Sequence, residues 1–340
     1  CVASLRLAVD AMSGDHGLRS SIPATVYALN HNSALHILLV GDEPSILLAL
    51  ASEKYDPQRL AIHHAPDIVA MDDQPSRTLR SKKKSSMYQA LELLRDGAVS
   101  AVVSAGNTGA LVAMSCVVLE RLPGIKRPAI CAPVPAQNGH TYVLDLGANV
   151  ECNAEQLHQF AQMGSALCRV LGGSEMPRIG LLNVGSELTK GTTEVRDAAE
   201  LLASDTGLNY IGFVEGGDIF SADVDVVVCD GFAGNVALKV CEGTASFIAN
   251  ELRARFKKTF YGMLVGLLAR PLINAFQRDI NPDRYNGAAL LGLNGVVVKS
   301  HGSSGTAGFQ SAIRQAARAV DHDLQAQIEK QLEITSYKPH

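Results

Sequence analysis

Val224-Asp225-Val226-Val227-Val228, followed at once by Cys229-Asp230-Gly231-Phe232-Ala233-Gly234-Asn235, reads as a buried strand that opens into a polar, glycine-spaced turn. The same grammar recurs along the chain. Leu5 to Val9 runs into Asp10-Ala11-Met12-Ser13-Gly14-Asp15, and Ala101 to Val103 into Ser104-Ala105-Gly106-Asn107-Thr108-Gly109. Ile179 to Leu182 runs into Asn183-Val184-Gly185-Ser186-Glu187, and Val296 to Val298 into Lys299-Ser300-His301-Gly302-Ser303-Ser304. Continuous apolar runs of this length suit parallel strands covered on both faces, and ligands of such sheets gather beyond the carboxyl ends. The expectation is one cleft, lined by several of these loops at a single edge of the sheet.

Working outward, apolar runs near Leu5, Ile37, Ala61, Ala101, Ala129, Tyr142, Ile179, Tyr210, Val224 and Val296 alternate with helix-like segments such as Ala154 to Leu171 and Glu194 to Ala203. This alternation implies an α/β fold, with helices on both faces of a large, mostly parallel sheet. Val2 to Val9 lacks the charged-then-apolar layout of a secretory leader and reads as the first strand. From Glu242 to Leu268 the pattern changes. Ile248, Leu252, Phe256, Phe260, Leu264 and Leu268 recur every fourth residue, a stripe along one long helix that Pro271 should end or kink.

The uncharged stretch Thr259 to Ala269 is shorter than the roughly 20 apolar residues a bilayer span needs. Flanked by Arg253, Arg255, Lys257, Lys258, Arg270 and Arg278, it suits either a helix that pairs with its twin or an element lying on a membrane surface. The chain reads as one domain over 1–340, with 242–285 as a helical insertion for dimerisation and membrane contact.

Composition narrows the function. With 47% hydrophobic and 19% charged residues over 340 positions, the chain is ordered rather than disordered. A net charge of -4 carries no general nucleic-acid signature, so an acidic partner must meet a local patch. Seven cysteines, an odd number without a CxxC pair, point to reduced thiols rather than disulfides or zinc.

No two glycines are separated by a single residue, so the dinucleotide fingerprint GxGxxG is absent, as are GxxxxGK[ST], HExxH and GxSxG. What remains is a set of loops rich in backbone donors. Gly106-Asn107-Thr108-Gly109 and Gly231-Phe232-Ala233-Gly234-Asn235 each stand between a strand and a helix, where N–H groups and the helix dipole favour an anion, or where glycines merely turn the chain. Lys190, in the run from Asn183 and Gly185 to Gly191, is placed to hold a phosphate as a point charge or to lie solvated at a helix start. Asp10, Asp15 and Asp230 suit helix capping, lysine orientation or a metal. His301 can donate to a ligand or simply end a turn. The basic segment Arg77 to Lys84 reads as a solvated helix face or a landing patch for an acidic partner.

Taken in order, LAVDAMSGDHG from Leu7, MDDQPSRTLRSKKKSSM from Met71, VSAGNTGALVAM from Val103, LPGIKRPAI from Leu122, VLDLGAN from Val143, LLNVGSELTKG from Leu181, DVVVCDGFAGNVALK from Asp225, and YNGAALLGLNG with KSHGSS from Tyr285 resemble the bacterial phosphate acyltransferase family. The resemblance covers nearly the whole chain. One departure is Val214-Glu215-Gly216-Gly217-Asp218, where the family often reads VEGRD, so a basic side chain is missing at Gly217.

The resemblance implies a homodimeric three-layer α/β/α sandwich, similar to phosphate acetyltransferase and isocitrate-dehydrogenase-like proteins. It implies work in the cytoplasm at the inner face of the membrane, without a redox cofactor or metal. The implied reaction is attack of inorganic phosphate on acyl-acyl carrier protein. The family's important lysine and asparagine fall on Lys190 and Asn235. Substrate contacts are expected from Asp10, Ser13, Gly14, Asp15, Ser104, Gly106, Asn107, Thr108, Gly109, Asn183, Gly185, Asp230, Gly231 and His301. Two alternatives remain at this stage: an NAD-dependent dehydrogenase of the isocitrate-dehydrogenase-like fold, with a cluster of metal carboxylates, and a non-catalytic membrane adaptor working through Glu242 to Arg278.

Overall fold

The computed structural model describes residues 5–137, 139–280 and 282–336, with the side chains of Phe260, 274–280, Pro282 and 334–336 set aside. Cys1 and Val2, and the Phe260 and Arg278 side chains invoked above, therefore lie outside the described part.

In the N-terminal half, strands β1 (Leu5–Asp10), β2 (Leu35–Gly41), β3 (Leu60–His64) and β4 (Ala101–Ser104) alternate with helices α1 (Leu18–His31), α2 (Glu43–Leu50), α3 (Pro75–Ser81), α4 (Ser86–Arg95) and α5 (Thr108–Val118). A hairpin of β5 (Ala129–Ala136) and β6 (Gly139–Leu144) leads into α6 (Ala154–Leu167), β7 (Arg178–Leu182), α7 (Thr193–Ser204), β8 (Asn209–Val214) and the short β9 (Val226–Val228). The chain then enters α8 (Gly231–Lys257) and α9 (Phe260–Ile280) and closes with β10 (Ala288–Leu291), β11 (Val296–Lys299), α10 (Thr306–Asp321) and α11 (Leu324–Ser336).

Among the described residues eleven strands form one sheet in the order β3-β2-β1-β4-β11-β10-β5-β6-β9-β7-β8. Within each strand alternate residues serve opposite faces. Val227 joins the core under α4, α5 and the start of α8, whereas Val226 and Val228 pack under α6, α7 and α11. Likewise Ala8 faces α4 and α5, while Leu7 and Val9 face α1, α2 and α10. A sheet covered on both sides needs apolar side chains at every position, which is why these strands read as unbroken hydrophobic runs. The three-layer arrangement follows from that pattern.

Three pairings set the geometry of the loops. β10 runs antiparallel to both β11 and β5, and β5 antiparallel to β6, while the remaining pairings are parallel. The strand sense thus reverses between β11 and β6. The carboxyl ends of β1, β4 and β11 belong to one edge of the sheet and those of β6, β9 and β7 to the other. This corrects the expectation of a single edge.

Two further differences concern local structure. β10 was not expected, because Ala288-Ala289-Leu290-Leu291 has no alternation that separates strand from helix. The long helix is two: α8 ends at Lys257, with Arg255 and Lys257 in its last turn, and the chain folds back so that Phe256 packs on Gly266 of α9. Basic residues at a helix carboxyl end offset the dipole and suit a stop there. Pro271 lies inside α9 instead of ending it.

Candidate active site

At the first edge, the ends of β1, β4 and β11 close on a buried polar cluster. Ser104 Oγ donates to Asp10 Oδ2 at 2.6 Å and lies 3.3 Å from Ser13 Oγ. The Gly106 and Ala105 N–H groups donate to Ser104 Oγ and Ser13 Oγ at 3.1 and 3.0 Å. Asp15 N–H donates to the Gly302 carbonyl at 2.8 Å, binding the β1 loop to the β11 loop. Gly14, at φ 83°, allows this approach: a Cβ there would stand 2.9 Å from Ala105 Cβ and 3.0 Å from Gly302 O. Burial pushes the Asp10 carboxyl above its ordinary value, and the Ser104, Ser86 and Ser13 hydroxyls draw it back. Among the described residues Asp10 Oδ1 has no hydrogen-bond partner.

This arrangement changes the reading of the Gly106 to Gly109 loop. Asn107 Oδ1 caps α5 by accepting Ala110 N–H at 2.9 Å, and its Nδ2 donates to Met71 O at 2.7 Å and Asp73 O at 3.1 Å. Asn107 is thus a clamp between α5 and the segment entering α3, and the loop's remaining donors are the first-turn N–H groups of Thr108 and Gly109. Pro75, at the start of α3, sits where a Cβ on Gly109 would be 2.8 Å away.

Lys299 ends β11 pointing inward. It is buried, and its Nζ donates to the Ala105 carbonyl at 3.4 Å and, more closely, to Ser300 O. Its pKa is lowered from 10.5 to about 8, by burial first and then by Lys239, with Asp10 and Asp15 opposing the fall. Beside it, His301 Nε2 lies 2.8 Å from Lys239 Nζ, which arrives from α8. On the other side of the ring, His301 Nδ1 lies 2.9 Å from Ser303 Oγ and 3.3 Å from the Ser303 backbone nitrogen, so Ser303 holds the imidazole in place. Burial and then Lys239 hold His301 below its usual range.

At the second edge, Asp230 caps α8 by accepting Ala233 N–H at 2.7 Å, and Gly231 N–H donates to Asn149 O at 2.7 Å. Gly234 packs so closely on Asp145 that a Cβ would collide with its carbonyl oxygen. Asp145 is itself buried: Oδ1 accepts Ile130 and Ala148 N–H, and Oδ2 accepts Asn149 N–H and Nδ2, all within 3.1 Å. These contacts seat the α8 start rigidly. Asn235, next along the helix, is exposed beside Gly147, and among the described residues its side chain makes no hydrogen bond.

Lys190 stands apart at the β7 end. Its Nζ pairs with Glu187 Oε1 at 2.8 Å across Gly185, and that hydrogen bond raises its pKa. Asn183 shapes the loop, accepting Val184 N–H at 2.9 Å and donating to Lys190 O at 3.2 Å. Among the described residues no hydrogen bond or ion pair joins Asn183 or Lys190 to the other two groups. Gly217 has open space around it, so a longer side chain would meet no obstacle there.

The element that joins the two edges is α8. Asn235, Lys239 and Glu242 stand at i, i+4 and i+7, one stripe of a helix, with Asn235 at the β9 end and Lys239 on His301 at the β11 end. Sequence reasoning missed Lys239, Lys299, Asp145 and Asn149. The KSHGSS run at the end of β11 was the available signal for Lys299.

A sequence profile for the family described as "Fatty acid synthesis protein" matches residues 5–327. The chain is 50% identical over 329 residues, 96% of its length and 97% of the relative's, to a phosphate acyltransferase of Pseudomonas fluorescens. The chain belongs to the phosphate acyltransferase family. A Hydrogenovibrio crunogenus phosphate acyltransferase is 50% identical over 321 residues, covering 94% of this chain and 95% of that protein. Among solved structures, a phosphotransacetylase from Streptococcus pyogenes superposes with a TM-score of 0.63 at 16% identity, over 94% of this chain and 95% of that one. The EutD phosphotransacetylase of Staphylococcus aureus gives 0.58 at 14% identity, over 93% and 94%. At such identities these structures speak for the fold of this chain alone. Among the described residues no group of three or more His, Cys, Asp or Glu is placed to hold a metal ion, so the carboxylate cluster expected by the dehydrogenase alternative is not among them.

Proposed function

We propose that this enzyme transfers a long-chain acyl group from acyl-acyl carrier protein to inorganic phosphate, an early step of glycerophospholipid synthesis. The observation that carries the reading is 50% identity over 96% of the chain with a phosphate acyltransferase. A phosphate oxygen attacks the thioester carbonyl, a C–O bond forms, the C–S bond breaks, and the carrier leaves as a thiolate that takes up a proton. Phosphate is already charged at neutral pH and thiols have pKa of about 8.5, so no strong general acid is required. The protein's task is to place two anions and to stabilise an oxyanion. Asn235 is assigned to that oxyanion, supported by its unengaged amide on a rigid helix start. Lys190 supplies a cation for phosphate, once released from Glu187. Asp10, Ser13, Ser104 and Gly14 shape the floor beneath the β11 loop, while Asp230, Gly231 and Asn183 hold the loops that present Asn235 and Lys190.

The acidic carrier protein docks on basic surface, either Arg77 to Lys84 or the exposed Arg253, Arg255, Lys257 and Lys258. The protein acts as a homodimer held peripherally at the cytoplasmic face of the membrane. The exposed Phe247, Tyr261, Leu267, Leu268 and Leu272 on α8 and α9 support both parts of this reading. Among the described residues no helix is long and apolar enough to cross a membrane.

The deciding experiment follows acyl phosphate formation from an acyl-carrier thioester with and without phosphate. Thioester loss that is independent of phosphate, or absent, rejects the reading.

A further inference from the structure

Two lysines and an imidazole at the β11 end are arranged as a seat with a provisional occupant. Lys239 and His301 meet there, Lys299 lies buried two residues before His301, and Lys239 depresses the proton affinity of both others. Such mutual repulsion is relieved by an anion. One is present: Glu242 Oε2 lies 2.8 Å from Lys239 Nζ and 3.7 Å from His301 Nε2. The seat is built rather than accidental. Asn286 Nδ2 donates to Ser300 Oγ at 2.9 Å and Ser304 Oγ at 2.7 Å, and its Oδ1 accepts His301 N–H at 2.9 Å, fixing the loop that carries the histidine. Beneath it lies the buried Asp10, with one carboxylate oxygen unpartnered among the described residues. Asp15 and Asp283 also act on these groups.

We propose that Lys239, Lys299 and His301 form the seat for inorganic phosphate, and that Glu242 fills it in the unliganded enzyme and must swing off Lys239 for phosphate to enter. The inference rests on the acyltransferase reading and locates its nucleophile. Lys239 follows Asn235 by one helical turn, about 6 Å between Cβ atoms, which suits an attacking oxygen beside the thioester oxyanion. The carrier arm's own phosphodiester stands at the far end of the pantetheine chain from the sulfur and fits this place less well. Lys190 then serves as an outlying cation.

The test compares wild type with Lys239→Gln, Lys299→Met and Glu242→Gln, reading direct binding of inorganic phosphate by calorimetry together with KM for phosphate and for acyl-carrier thioester. Loss of a charged contact should weaken phosphate by about tenfold or more in Lys239→Gln. The thioester KM should stay unchanged. Glu242→Gln should tighten phosphate binding about threefold or more, the outcome a merely structural glutamate would not produce. Lys239 is exposed, so its variant should fold, and thermal melting checks Lys299→Met. The proposal is overturned if wild type binds no phosphate, if neither Lys239→Gln nor Glu242→Gln moves phosphate affinity, or if only the thioester KM shifts, which assigns the seat to the carrier arm. Phosphate binding without acyl phosphate formation would instead count against the acyltransferase reading and leave the seat standing.

Discussion

The Ser104 hydroxyl donates to Asp10 Oδ2 at 2.6 Å, joining the ends of two adjacent parallel strands beneath the candidate site. Because burial raises the Asp10 pKa, the folded protein holds that proton more tightly than the unfolded chain does. Its contribution to stability is therefore greatest at acid pH and is lost as pH rises through the raised folded value. Asp10→Asn has no proton to lose. The melting-temperature difference between Asp10→Asn and wild type should grow in favour of the variant from pH 4 to 7, and parallel profiles would refute a buried, raised carboxyl.

Lys299 makes the opposite prediction. It loses its proton near pH 8 when folded and near 10.5 when unfolded, so between these values the unfolded chain binds more protons and stability rises with pH. Below pH 8 the buried charge costs up to roughly 3 kcal/mol, at about 1.4 kcal/mol per unit. Lys299→Met should gain stability of that order in denaturant titrations at pH 7, with the advantage shrinking towards pH 10. A variant less stable than wild type at pH 7 would mean that its carbonyl contacts outweigh desolvation.

Asn235→Ala separates catalysis from folding. The side chain is exposed and makes no hydrogen bond among the described residues, so the melting temperature should not change. Loss of an oxyanion donor should lower kcat by about a hundredfold or more. Unaltered turnover would remove Asn235 from the reaction.

Gly234 next to it tests the seating of α8. An alanine Cβ would strike the Asp145 carbonyl and stand 2.9 Å from Cys229 Sγ. Gly234→Ala should destabilise by roughly 1–3 kcal/mol as β6 and α8 are forced apart. A neutral effect would mean that the helix start slides freely, which the Asp230 cap argues against.

How far the sequence carried depends on the range of the interaction. Val226 to Val228 and Asp230 were readable because strand burial and helix capping are decided within a few residues. The position of their loops was not, since the antiparallel pairing of β10 with β5, far apart in sequence, joins the β10–β11 and β5–β6 hairpins and reverses the strand sense. Nothing local in the sequence marks Lys239, and only the fold places His301 against it. Lys299 passed for the polar end of a strand, whereas its side chain turns into the core. Asn107, expected from the sequence at an anion, is engaged in capping α5 and in holding Met71 and Asp73.

The apolar surface of α9 gives the last prediction. Leu268 and Leu272 stand at i and i+4 and are 75% and 77% exposed, an arrangement that is costly in water unless something covers it. Exposed Lys257, Lys258 and Arg270 flank them, which suits the headgroups of an anionic bilayer. Each leucine entering the acyl region contributes roughly 1.5–3 kcal/mol, so Leu268→Glu with Leu272→Glu should lower partition onto anionic vesicles by about a hundredfold or more. Both side chains are exposed, so turnover of a soluble acyl-carrier thioester should persist. Vesicle binding that survives both charges, together with a dimer that dissociates in sedimentation, would assign this face to the partner subunit instead of the membrane.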